Sequence, residues 1–351
     1  MNRKYILPLF LLFQIIGLQL LTFFPEFIEK YYSNGLYAII SKFSRVFLGW
    51  IPFSVGDLLY GIVIIALIRW FLKNRKEKLK VKFISILSFV SVAYFLFHFL
   101  WAFNYYRLPL FAKMNIKRDY TDEQLLQFTQ KLIVKTNELH FSITKDTAIP
   151  VQSPYTEHQI FEKAENGYQK LALQHSIFQY SNQSVKKSLF SYPLTYMGFG
   201  GYLNPFTNEA QVNYLPPKYS LPATTCHEMA HQMGFASESE CNFIGFLAST
   251  QNEDLHFKYA GYTHALRFCL RNISAKEEEV KFKQLLKTIN PGILKNFQES
   301  QDFWTSRRTF IDTAFEIFYD NFLKMNQQKD GMESYSKFVD LLVNYYNAKE
   351  L

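Results

Sequence analysis

Three long apolar runs open the chain, and after them apolar residues recur at helical spacing among polar ones. Tyr5 to Phe24 carry no formal charge over about twenty residues, the length that crosses a hydrocarbon core as a helix. Arg3 and Lys4 precede this run and no small-x-small cleavage site follows it, which predicts an uncleaved anchor rather than a signal peptide. A second run, from about Val55 to Leu72, has Asp57 near its start and Arg69 near its end, where a charge reaches the interface by snorkelling. The third, Phe83 to Phe103, is apolar and aromatic, and Trp101, Tyr105 and Tyr106 near its far end predict an interfacial belt. His98, with no ionisable partner in its span, reads as a helix-packing histidine.

Charge orients these spans. Lys73, Arg75, Lys76, Lys78, Lys80 and Lys82 crowd the connection between spans two and three, which marks it as cytoplasmic. The amino terminus is then cytoplasmic as well, and everything after about Asn104 lies outside. The stretch Pro25 to Pro52 falls on that outer side, with Tyr37, Ile40, Phe43 and Phe47 spaced for an amphipathic helix.

Beyond the spans, Thr121 and Gln124 form a capping-box pattern ahead of Leu125, Leu126, Phe128, Leu132 and Ile133, predicting a helix to about Leu139. A second helical pattern covers about Thr156 to Gln174. Ser188 to Tyr214 change character: Gly198, Gly200, Gly201 and Pro205 among aromatics predict a short sheet with turns. From Pro222 onward the periodicity is helical, broken near Asn290-Pro291-Gly292 and Asp330-Gly331. The fold class expected is mainly α: a membrane domain of three spans over residues 1–110, then an α+β soluble domain over residues 111–351.

Composition narrows the function classes. The chain has 351 residues, 48% of them hydrophobic and 19% charged, which excludes a mostly disordered protein. A net charge of +8 admits nucleic acid as a partner, but much of the excess sits in the Lys73–Lys82 run between apolar segments, and no nucleic-acid reader motif is present. The expected partner is the lipid bilayer. Cys226, Cys241 and Cys269 are too few and too irregular for a disulfide framework or a CxxC metal site, and are expected as small core residues.

The sharpest chemical signal is His227-Glu228-Met229-Ala230-His231, an HExxH pattern. On a helix, residues four apart share one face about 6 Å apart along the axis, so two imidazoles can address one ion with Glu228 beside them. Zinc takes a third protein ligand and keeps a position for water, whose proton a neighbouring carboxylate can accept during attack on a carbonyl. Thr225 and Glu228 also have capping-box spacing, under which the motif is an ordinary helix start. Ala223, Met229, Ala230 and Met233 continue an apolar helix around the motif and favour a buried site.

Gly234 can end that helix, and Glu238-Ser239-Glu240-Cys241-Asn242 opens another. This element resembles the ExxAD motif of glutamate-type zinc peptidases. The resemblance puts Glu238 at the ligand position, Cys241 at the small-residue position and Asn242 where an acidic supporting residue usually stands. Glu240 stays the alternative third ligand, because the rotation of the second helix is not legible. A metzincin pattern fails at Ser237, which occupies the place of its third histidine. Gly200 to Asn213 form either a structural hairpin or an edge strand that pairs with an extended substrate, and Glu209 reads as a structural carboxylate near the site. His256, Tyr259, Tyr262, His264 and Tyr335 are candidate oxyanion donors that spacing cannot rank.

Over nearly its whole length the chain also resembles the bacterial membrane-protein family known as domain of unknown function 3810. The resemblance runs through Asn104 to Arg107, Pro205 to Asn213, the HExxH helix with Glu238 to Phe243, Tyr319 to Lys324, and Ser334-Tyr335. It implies a multi-pass bacterial inner-membrane protein with a zincin-like, extracytoplasmic metallopeptidase domain. The expected function is a zinc-dependent hydrolase acting on a peptide or protein outside the cytoplasm, with His227, His231 and Glu238 on zinc and Glu228 as base. The alternative is a membrane-tethered binding or assembly protein with a structural zinc site.

Overall fold

A computed structural model describes residues 3–275, 279–328, 335–347 and 349–351. It is mainly helical with one small sheet. Three helices are long and apolar enough to cross a membrane: Arg3–Leu21, Val55–Lys73 and Leu79–Leu100. The first contains α1 (Ile6–Leu21). Most of their side chains are exposed, as expected of surfaces whose solvent is lipid rather than water. Between the first two spans run α2 (Pro25–Phe27), a π-helical stretch Ile28–Leu36 and α3 (Tyr37–Leu48). The predicted helix is present, but its buried stripe is Tyr37, Ser41 and Arg45, while Phe43 and Phe47 are 63% and 55% exposed. Its apolar face is thus turned outward.

Span two is α4 (Val55–Lys73) and span three is α5 (Leu79–Leu100). Ser54 caps α4 by accepting from Asp57 N at 2.9 Å. The third span stops at Leu100 rather than Phe103, because the chain breaks its helical course at Trp101, φ −154°. The expected aromatic belt is corrected here: Trp101 and Tyr106 are buried in a small core with Tyr32, Tyr37 and Ala236, so they join spans to domain instead of facing headgroups. His98 is buried, its Nδ1 3.0 Å from Tyr94 O, which fits a packing role.

After the short α6 (Leu110–Lys113) come α7 (Asp122–Thr144) and α8 (Glu157–Gln174), both opened by complete capping boxes, at Thr121 and at Thr156. α7 continues past the expected Leu139 because Thr144 and a left-handed Lys145 close it. The sheet has three strands in the order β1-β3-β2, from β1 (Val185–Lys187), β2 (Gly201–Leu203) and β3 (Ala210–Val212), with α9 (Ser191–Tyr196) between β1 and β2. β1 runs parallel to β3 and β2 antiparallel to it. Then follow α10 (Leu221–Gln232), α11 (Glu238–Gln251), α12 (Leu255–Ser274), α13 (Glu279–Leu286), α14 (Pro291–Thr305), α15 (Phe310–Met325) and α16 (Tyr335–Tyr346). α14 starts at the Asn290-Pro291 break; the Asp330-Gly331 break lies outside the described residues. The main core collects Cys226, Met229, Phe243, Phe246, Leu266 and Phe338 among others, and all three cysteines are free and buried.

Two carboxylates fasten this domain to span two. Glu209 accepts from Val55 N at 3.1 Å and Gly56 N at 2.5 Å, a charge placed on the positive end of α4. Asp57 accepts from Ser188 Oγ at 2.9 Å, from Leu189 N at 2.6 Å, and from the Tyr202 hydroxyl. With a helical rise of about 1.5 Å per residue, the Lys73 end of α4 lies roughly 27 Å from these contacts. The domain and the lysine-rich loop therefore occupy opposite ends of that span.

Candidate metal centre

The centre is built from α10, α11 and the turn between them. α10 begins at Leu221 with Pro222 in its first turn, where the missing N–H costs nothing. Thr225 lies inside the helix, its Oγ1 donating to Leu221 O at 2.8 Å, so the capping-box reading of Glu228 fails. Gly234 then takes φ +84°, the left-handed conformation that glycine adopts at least cost; a Cβ there would meet Tyr37 at 2.8 Å and Asn104 at 2.9 Å. This turn sends α11 back across α10.

His227 Nε2 and His231 Nε2 come within 3.2 Å of each other, and Glu238 approaches them at 3.2 and 3.6 Å respectively. Tautomers follow from the partners of the other ring nitrogens. His227 Nδ1 lies 3.0 Å from Asn242 Oδ1 and His231 Nδ1 lies 2.8 Å from Phe235 O. Each of those oxygens only accepts, so each Nδ1 carries the proton and each neutral ring turns its Nε2 lone pair inward. Two imidazole lone pairs and a carboxylate then face one point, an arrangement that repels itself unless a proton or cation sits there. Tetrahedral coordination at 2.0–2.1 Å has ligand–ligand edges of about 3.3 Å, close to the spacings found. The donor set thus fits a small divalent cation. His227, His231 and Glu238 form a group that can hold a metal ion, and among the described residues no fourth His, Cys, Asp or Glu joins it.

Charge follows the same geometry. A proton can take the place of a cation at this point: burial opposes ionisation of Glu238, yet the hydrogen bond from a His227 protonated at Nε2 as well, the pull of His231, the charge of His227 and the Tyr319 hydroxyl, 2.5 Å away, hold its carboxyl down to about 2. Burial lowers His231 to about 4, helped by the charge of His227. Glu228 is buried with an Oε2 that has no hydrogen-bond partner, and burial together with the charge of Glu238 pushes its carboxyl up to about 8. Gly201 lets the β2 backbone lie against this carboxyl, since a Cβ would meet Glu228 Oε1 at 2.6 Å.

Glu240, the rival ligand, points elsewhere. Its Oε1 accepts from Leu110 N at 2.6 Å, and burial raises its carboxyl against the opposing pull of that N–H and of Arg107 and Lys113. Of the oxyanion candidates, His264 is the one tied to the centre, its Nε2 lying 3.0 Å from Asn242 Oδ1. Tyr259 donates to Asn296 at 2.8 Å, Tyr262 packs on Phe246, and His256 packs on Tyr155. The side chain of Tyr335 lies outside the described residues.

Sequence reasoning missed the braces. Tyr37 donates to Gln232 O at 3.0 Å and Trp101 Nε1 to His231 O at 3.3 Å, so residues next to the spans take up the last carbonyls of the metal helix. Arg107 donates to Gly234 O at 2.8 Å and pairs in two-pronged fashion with Glu29, both bonds 2.8 Å. Tyr319 stood among the residues of the resemblance, but its tie to Glu238 was equally silent, because their distance in sequence carries no periodic signal.

A mainly helical domain seated on three helices apolar enough to span a membrane, with two imidazoles and a carboxylate converging inside it as a group that could hold a cation, is the architecture of a membrane-associated protein. The family model described as a protein of unknown function, DUF3810, matches residues 32–343, and the chain belongs to that family. No curated protein and no solved structure matches it.

Proposed function

We propose that the protein is a membrane-anchored, zinc-dependent hydrolase, a peptidase with a zincin-like domain on the outer face of the bacterial inner membrane. The observation that carries this reading is the convergence of three cation-seeking atoms at tetrahedral spacing beside a buried carboxyl with an unpartnered oxygen. Bound there, zinc polarises a carbonyl, acidifies a water and, by its charge, favours the carboxylate form of Glu228. His227 and His231 supply Nε2 lone pairs fixed by Asn242 and Phe235 O, and Glu238 supplies the compensating negative charge. Glu228 takes a proton at its free oxygen and passes it to the leaving amine.

The sheet supplies the groups that would hold a peptide. Gly200 O accepts from Asn213 N and Asn204 N donates to Glu209 O, both at 2.9 Å, so alternate residues face β3. Gly201 and Leu203 turn N–H and C=O to the outer edge of β2, where among the described residues no strand pairs with them. An extended substrate added along that edge lies against Glu228. The outward orientation is supported by the lysine-rich loop at the opposite end of span two.

The test is Glu228→Gln in the full chain. It is expected to keep stoichiometric zinc by metal analysis and to lose at least a hundredfold in peptide hydrolysis. Hydrolysis at the wild-type rate would remove Glu228 as base, and zinc bound by a wild-type protein without hydrolysis would favour the structural-site alternative.

A further inference from the structure

The open edge of β2 does not end in water. After Leu203 the chain turns through Pro205 and Phe206, and these two residues border a shallow, wide-open apolar groove between spans two and three. Tyr60 of α4, Phe89, Val90, Ala93 and Phe97 of α5, and Phe206 line it, with a volume of about 340 Å³. That volume takes the side chains along one face of an apolar segment, not a whole helix of about 10 Å diameter. Phe89 stands eleven residues before the end of α5, so the groove reaches roughly 16 Å down the span. Aromatic contacts join it to the strand: the Tyr60 and Tyr202 rings stack at 6.3 Å between centroids, and Tyr60 meets Phe206 edge-on at 6.1 Å. One continuous track therefore leads from lipid depth, past Tyr60 and Phe206, along the free edge of β2 to Gly201 and Glu228.

The geometry points to a membrane-anchored polypeptide as the substrate: its apolar stem lies in the groove between spans two and three, and its emerging segment pairs with β2. The inference rests on the hydrolase reading for the cut itself, but not for the seat of the stem. The occupant follows from continuity. A soluble peptide uses the strand edge and leaves the groove idle, whereas a chain rising from the bilayer uses both. β2 spans about 7 Å from Gly201 to Leu203 and the turn to Pro205 follows at once, so the cut falls within about four residues of the stem.

The experiment uses the full chain in lipid nanodiscs. The probe is a synthetic peptide with an apolar stem of about twenty residues, a benzophenone within it, and an extended Ser/Thr/Val segment. Binding is read first, without chemistry: Glu228→Gln protein is expected to crosslink the stem to tryptic peptides containing Phe89–Phe97, and Ala93→Trp to reduce that crosslink at least fivefold. Cleavage is read second, with zinc-loaded wild type expected to prefer the anchored peptide over the stemless one at least tenfold, a ratio that falls in Ala93→Trp. Crosslinking without cleavage would retire the hydrolase reading and keep the seat. Equal cleavage of both peptides without a groove crosslink would overturn the inference and keep the hydrolase. Displacement of the stem by a photoreactive phospholipid that labels the same residues would make the groove a lipid seat and also overturn it.

Discussion

The candidate metal centre is held unequally on its two flanks. On one, Tyr37, Trp101 and Arg107, all buried, donate to the carbonyls of Gln232, His231 and Gly234, and Glu29 locks Arg107 in place with Lys113 at 2.6 Å. On the other, α15 reaches the centre through Tyr319, yet Leu323 is the one buried residue along its length. The first flank is made by residues beside the spans, the second by a helix with most of its surface free. Imidazoles need fixed direction, and their helix is clamped where it meets the membrane segment. Glu238 is steadied by a contact from an exposed helix.

Removing Arg107 is the most damaging way to break this contrast. Arg107→Met leaves buried Glu29 with Lys113 as its one cationic partner beside the Asn34 amide and frees Gly234 O, and loss of one partner of a buried pair costs about 3 kcal/mol. A lowered midpoint of thermal unfolding of the full chain in detergent checks it, and a loss below about 1 kcal/mol would reduce the clamp to a passive contact. Acid gives a second handle. Burial alone would raise the Glu29 carboxyl, but Arg107 and Lys113 hold it down, from 4.5 to about 2. A depressed carboxyl stabilises the fold above 4.5, and that stability is lost as pH falls through about 2. The gap between wild type and Arg107→Met is therefore expected to close over that window.

Asn242 tests the direction of the rings rather than the clamp on their helix. Its Oδ1 lies 3.0 Å from both His227 Nδ1 and His264 Nε2, so Asn242→Leu removes the acceptor that fixes the His227 tautomer. Partners of this kind are worth about 10–100-fold in metal affinity. Zinc competition with a chelator reads the effect, with the fold monitored separately. A change under twofold would mean that packing alone orients the ring.

Much of the centre was legible because its chemistry is local. His227, Glu228 and His231 share one turn, Gly234 ends it, and Glu238 and Asn242 open the next helix, all within a stretch whose periodicity fixes who faces whom. Glu238 could not be separated from Glu240 that way, since the answer depends on Leu110, far off in sequence, offering its N–H to Glu240. The capping boxes at Thr121 and Thr156 were readable for the same local reason. Trp101 misled because an aromatic at the end of an apolar run has two destinations, headgroups or a protein seam, and the choice rests on His231 O being there to accept. Glu209 likewise found its partners, Val55 N and Gly56 N, across the whole molecule.

Tyr319→Phe is the mildest change and the one that separates the two flanks. The hydroxyl is the contact that α15 offers to Glu238 Oε1, at 2.5 Å. Phenylalanine keeps the ring against Phe199 and Phe322, at 5.0 and 6.0 Å between centroids, so this packing survives while the bond donated to Glu238 is lost. A hydrogen bond to a charged acceptor is worth about 1.5 kcal/mol at the lower end, roughly tenfold in zinc affinity. Because α15 is largely exposed, the unfolding free energy should change by less than about 0.5 kcal/mol. The expected signature is a loss of zinc affinity without a loss of stability, the reverse of Arg107→Met. Should Tyr319→Phe unfold the protein as readily as Arg107→Met does, α15 would be as firm a wall as the membrane side.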